Sequence, residues 1–193
     1  MNFRVFIQNL YLRCLGIIWS PKEEWTRIKE ENESIWQMLV SFMLPLLIIS
    51  AITSMIGGYI HRGDTGWNSG LLVIYGAIPV LSISLTIALS IPAINAMTGS
   101  FGGTPNFNQS SQLVIFSFLP VILVIIILGL SPEIYLIGLF ALYSYFIMFI
   151  GTQVLPDIPP ERQSNFSTLS STMMLVIYLI INFILSAFFG AIH

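Results

Sequence analysis

Between Asp64 and Glu133 the chain contains no lysine, arginine, aspartate or glutamate. No water-exposed surface can be built from so long an uncharged stretch, whereas a bilayer interior requires one. The rest of the composition agrees: 55% of the 193 residues are hydrophobic and 8% are charged, against roughly 25% charged in soluble domains. The expected fold is all-α and polytopic, because helices satisfy their own backbone hydrogen bonds in lipid.

Prolines, glycines and polar clusters divide the apolar sequence into five spans, at about 35–60, 70–97, 112–130, 134–155 and 169–192. Residues 1–33 form a separate N-terminal region, and residues 34–193 the membrane domain. Pro45 predicts a kink in the first span, and Pro79 and Pro92 interrupt the second. Residues 98–111 have the turn chemistry of a loop. Ser131, Pro132 and Glu133 make a tight turn, so the third and fourth spans form an antiparallel hairpin.

Before the first span, Phe3, Phe6, Ile7, Leu10, Cys14, Ile17 and Ile18 recur at three- and four-residue steps, with Arg4, Gln8, Asn9 and Arg13 opposite. Two arrangements satisfy this pattern: an amphipathic helix in the membrane interface, or a helix packed on the protein's own body. Arg13 interrupts the apolar run and no small-residue cleavage site follows, so a cleaved secretory signal is not expected. Ser20, Pro21 and Glu23 have the pattern of a capped helix start, and a short charged cytoplasmic helix follows, with Trp25 and Ile28 on its apolar edge. Ser34 and Gln37 repeat the capping pattern where the first span begins.

Six of the seven basic residues fall on the N-terminal side of a five-span topology, and only Arg62 lies on the other. The positive-inside rule places the N-terminus in the cytoplasm and the C-terminus outside. A net charge of −2, with acids interleaved among the bases, excludes nucleic acid as a partner. One cysteine, Cys14, gives no disulfide or thiolate cluster.

Catalytic chemistry lacks its parts. His61 and His193 are the two histidines; His61 and Asp64 share a loop with Arg62 but are too few to close a metal site. No cofactor motif is present, and Glu133 stands alone in its turn. The chain is not expected to be an enzyme. The spans carry neutral polarity instead: Tyr178, Asn182, Ser186 and Gly190 in the fifth, Ser50, Ser54 and Gly58 in the first, Ser82, Thr86 and Ser90 in the second. At four-residue spacing such residues let helices approach and hydrogen-bond. Asn182, near mid-span, is expected to fix the fifth helix against another. The same stripes are compatible with a neutral polar path through a small transporter, channel or lipid-translocating protein.

The order of signatures resembles the Yip family, whose eukaryotic members interact with Rab GTPases, and in particular its bacterial branch. The resemblance rests on Ser20, Pro21, Trp25 and Ile28 before the first span, Phe101, Gly102 and Gly103 after the second, and Ser117, Pro120, Tyr143 and Gly151 through the hairpin. It implies five spans, a cytoplasmic N-terminus in the bacterial inner membrane, and a non-enzymatic scaffold or adaptor role in membrane organisation or trafficking. The longer N-terminal region and the Asp-Leu-Tyr-Gly-Pro signature of eukaryotic relatives are absent, so a Rab-type partner is not carried over. Membrane lipid and a protein partner are the expected ligands. Trp25, Phe101, Gly102, Gly103 and Asn106 are the candidate contacts, the loop glycines offering backbone amides to an anionic headgroup.

Overall fold

The computed structural model describes residues 3–61 and 69–190. Arg62, Asp64 and His193 lie outside the described residues. Two helices, α1 (Phe3–Trp19) and α2 (Pro21–Glu31), precede the bundle. Among the described residues, five helices are long and apolar enough to cross a membrane: Ile35–His61, Gly70–Ser100, Phe107–Leu130, Pro132–Val154 and Pro160–Phe189. The 24-residue third span is about 36 Å long at 1.5 Å per residue, enough for the roughly 30 Å hydrocarbon layer.

Three boundaries differ from the sequence reading. The third span starts at Phe107 because Asn106 caps it, its side chain accepting from the amides of Asn108 and Gln109. The polar run that reads as a loop is therefore the first turns of a helix, with Ser110, Ser111 and Gln112 buried. The fifth span starts at Pro160, since proline suits a first helical position and the polar turns that follow need no apolar solvent. The fourth is 3₁₀ from Pro132 to Leu142 and α-helical from Tyr143. None of residues 132–142 is buried, so no packing forces that half into α-helix.

The Pro45 kink takes a specific form. A π-helical turn covers Leu39–Met43, and the Leu44 amide donates to Leu39 O, five residues back. Proline has no amide to donate and its ring crowds the carbonyl four residues earlier; a widened turn just before it relieves both. The second span stays helical through Pro79 and Pro92.

Ser34 forms the expected capping box, with the Gln37 amide donating to its hydroxyl and the Gln37 side chain returning to the Ser34 amide. Ser20 does not: no capping bond to its side chain is made, and Pro21 alone sets that helix start. Ser34→Ala should therefore lower stability by about 1 kcal/mol, whereas Ser20→Ala should leave it unchanged. Thermal melting of both variants in one detergent checks this; equal shifts would refute it.

The third span is the most deeply buried, and small residues bring the first span onto it. Ser50 and Gly57 are buried, and a Cβ built on Gly57 would stand 1.7 Å from Gly129 O. Gly58 faces Tyr75 of the second span instead. Ser82, Thr86 and Ser90 are likewise buried. The hydroxyl bonds formed along these stripes stay within a helix: Thr86 donates to Ser82 O at 2.7 Å, Ser50 to Leu47 O at 2.8 Å and Thr53 to Ser50 O at 3.1 Å, while the buried Ser82 and Ser90 hydroxyls make none among the described residues. The carbonyl three or four residues back is the nearest acceptor on the same helix. Closeness of packing, not interhelical hydrogen bonding, is what these stripes provide.

Candidate functional site

The two N-terminal helices are docked on one end of the bundle by four anchors. Trp25 enters the core, 1% exposed, and its indole Nε1 donates to Ile147 O at 3.1 Å. Its ring meets Phe116 edge-on at 6.1 Å, and a Cβ on Gly151 would stand 2.7 Å from it. The Tyr143 hydroxyl donates to Ile18 O at 2.9 Å. Lys29 donates to Val154 O at 2.7 Å, placing a cation on the exposed carbonyls of a helix C-terminus. Asn108 donates to Asn32 Oδ1 and Glu33 O, at 3.1 and 3.0 Å. Asn32 itself closes α2 in the left-handed conformation, φ 43°, which asparagine tolerates.

α1 presents two apolar lines. Leu10, Cys14, Ile17 and Ile18 pack against the protein. Val5, Leu12 and Trp19, at seven-residue steps, stay exposed, Trp19 at 79%. Ile7 belongs to the exposed side, so the stripe read from the sequence is narrower than expected. Arg13 also departs from expectation: it turns inward instead of standing opposite the stripe.

Arg13 Nη1 donates to Glu24 Oε1 at 2.7 Å, and Nη2 pairs with Glu31. Arg27 lies 3.4 Å from the other Glu24 oxygen. The Glu24 side chain is 6% exposed, which two guanidinium partners make tolerable. Burial pulls the Arg13 pKa down, but the Glu31 hydrogen bond and the charges of Glu31, Glu24 and Glu33 outweigh it, so the guanidinium is held more firmly protonated than usual. Burial alone pushes the Cys14 thiol up to about 11. Around the ion network opens a cleft of about 360 Å³ between α1, α2 and the first span, with Phe42 and Phe116 in its wall.

A family model, the Yip1 domain, matches residues 15–189. The chain belongs to the Yip1 domain family. No curated protein and no solved structure matches it. The Yip1 match takes in the end of α1, all of α2 and the five spans, so α2 and its dock on the bundle fall within the matched domain.

Within this Yip1 domain the residues read as contacts have other work. Trp25 is inside the core and out of a partner's reach. Phe101, Gly102 and Gly103 are the C-terminal cap of the second span: Gly103 N–H donates to Thr98 O and Gly102 N–H to Gly99 O, both at 3.1 Å. Gly102 takes φ 84°, the left-handed value this cap requires. The loop amides are thus spent on the helix's own carbonyls, and Phe101 packs edge-on against Phe166 at 5.4 Å. Asn106 caps the third span. In the fifth span Asn182 donates to Tyr178 O at 2.7 Å, within its own helix, and Ser186 is exposed; among the described residues Asn182 makes no interhelical bond. Tyr178 of that stripe does reach another span: its ring meets Phe118 of the third span edge-on at 5.8 Å.

At the opposite end His61 Nδ1 lies 3.1 Å from Glu133 Oε1 and its Nε2 3.2 Å from Leu130 O. Glu133 therefore does not stand alone. Among the described residues no three metal-ligating side chains come together. The ion network and its cleft go beyond what the sequence predicts. The signal for them is Arg13 itself, which falls on the same three- and four-residue steps as Leu10 and Ile17.

Proposed function

We propose that this Yip1-domain protein is a non-enzymatic scaffold or adaptor of the family's bacterial branch, working in the inner membrane through protein or lipid partners. Its N-terminus is cytoplasmic and its C-terminus outside. The observation that carries this reading is the α1–α2 platform, fixed to the bundle by Trp25, Tyr143 and Lys29 while the Val5, Leu12 and Trp19 line stays uncovered. A rigidly held apolar edge beside a membrane suits recognition. The connections 101–106 and 155–159 meet at the same end, where Gly102 faces Pro159 and Arg162. A conduit is less well supported, because Ser82, Thr86 and Ser90 are shut between packed helices.

A photo-crosslinker at Leu12, in the native membrane, should capture a specific protein or lipid that the same group at Tyr135, exposed near the other end, does not. Equal capture at both positions would overturn the adaptor reading. A topology reporter fused after His193 that proved cytoplasmic would overturn the orientation.

A further inference from the structure

The cleft beside α1 has the composition of a headgroup site. At about 360 Å³ it lies within the roughly 300–1,000 Å³ typical of ligand pockets. Phe6, Leu12, Phe42 and Phe116 give it apolar walls, and two arginines and three glutamates give it charge.

The charges are not all satisfied by one another. Arg13 and Glu24 are locked together in the buried network. Arg27 touches Glu24 at 3.4 Å but keeps 62% of its side chain exposed. Glu33 lines the cleft, and its carboxylate has no ion pair or hydrogen bond among the described residues; only its backbone carbonyl is engaged, by Asn108 and Gln112. The site thus offers one half-open cation and one carboxylate, Glu33, that feels the Arg13 charge but makes no contact ion pair, in a lining where three carboxylates face two guanidinium groups. A ligand that matches must carry both signs.

Position selects a lipid among zwitterions. Ser41 and Phe42 line the cleft yet sit six and seven residues into a span that begins at Ile35, about 10 Å along it. Trp36, 74% exposed, and Trp19 stand where interfacial tryptophans anchor a membrane protein. A molecule filling the cleft bridges the polar and apolar layers.

We propose that the cleft binds the headgroup of an aminophospholipid, its phosphate on Arg27 and its primary ammonium on Glu33. The ammonium supplies N–H donors to the carboxylate, which a choline headgroup lacks. A glycerol headgroup brings no cation, and its phosphate would meet a surplus of carboxylates. The proposal rests on reading the α1–α2 platform as a partner-binding surface, and specifies the lipid that platform takes.

The test is native mass spectrometry of the full-length protein with phosphatidylethanolamine, phosphatidylcholine and phosphatidylglycerol of matched acyl chains. Phosphatidylethanolamine should be retained roughly tenfold better than either of the others, the value of one charge-assisted hydrogen bond. Glu33→Gln should abolish that preference, and Arg27→Gln should weaken phosphatidylethanolamine and phosphatidylcholine alike. Equal retention of the three lipids, a preference for phosphatidylglycerol, or an unchanged preference in Glu33→Gln would overturn the proposal. The wild-type comparison decides even if a variant fails to fold. A specific protein captured at Leu12 together with no lipid preference removes the headgroup site and leaves the adaptor reading standing.

Discussion

Replacing Gly57 by alanine is expected to cost about 3 kcal/mol or more, among the larger effects of adding one methyl group. The new Cβ would stand 1.7 Å from Gly129 O and 2.9 Å from its carbonyl carbon. Both are backbone atoms of the third span, so no rotamer change can make room. Gly129 in turn would place a Cβ 3.0 Å from Ser54 N, which closes off relief by a simple slide. The helices must separate, and the third span also carries Phe116, against which Trp25 and Phe42 pack. Gly138→Ala is the control, since no described heavy atom lies within 4 Å of its Cβ position. Thermal melting and size-exclusion profiles in one detergent decide the matter. If Gly57→Ala melted with Gly138→Ala, the close approach of the first and third spans would not exist as described.

The contrast between those two glycines shows which parts of the fold are legible in a sequence. Five spans are, because the uncharged run from Asp64 to Glu133 and its turn residues leave little else for the chain to do. Pairwise proximity is not: Gly57 and Gly58 are neighbours in sequence, yet one meets the third span and the other the second. Helix ends are not legible where polar residues begin a helix, as at Asn106 and Pro160, because hydropathy follows the bilayer and helices continue beyond it. In sequence the loop glycines look like binding elements, because a cap and an anion-binding turn use the same residues. Only the direction of the amides, which in this chain point at Thr98 O and Gly99 O, separates the two. The pairing of Arg13 with Glu24 depends on the angle at which α2 leaves α1 after Ser20, and no residue spacing encodes that angle. What the sequence did contain was an arginine at a buried step, and a buried arginine implies a carboxylate somewhere.

That arginine gives the second large effect. Arg13→Ala leaves Glu24, 6% exposed, with only the outward-facing Arg27 as partner. Removing one member of a buried pair costs about 3–5 kcal/mol, and here the cost falls on the contact between α1 and α2, since Glu24 and Glu31 both belong to α2. The loss of the guanidinium from its place 5.8 Å above the Phe116 ring adds to it. α1 should therefore detach before the spans unfold. Cys14, one residue further on, reports the event. Burial raises its pKa from 9.0 to about 11, so less thiolate exists at any given pH while α1 is docked. At pH 8 the docked thiol is ionised about a hundredfold less than one with the ordinary value, and alkylation, which needs the thiolate, slows in proportion. Wild-type labelling should accordingly be slow at pH 8 and keep climbing toward pH 11. In Arg13→Ala, labelling at pH 8 should rise by up to about a hundredfold, with the midpoint of its pH profile near the ordinary value of 9.0 instead of about 11. Arg13→Lys should fall between, since one ammonium lacks the fork that reaches Glu24 and Glu31 together. Alkylation of Arg13→Ala at the wild-type rate across this range, with unchanged melting, would show that the ion network does not hold α1 to α2.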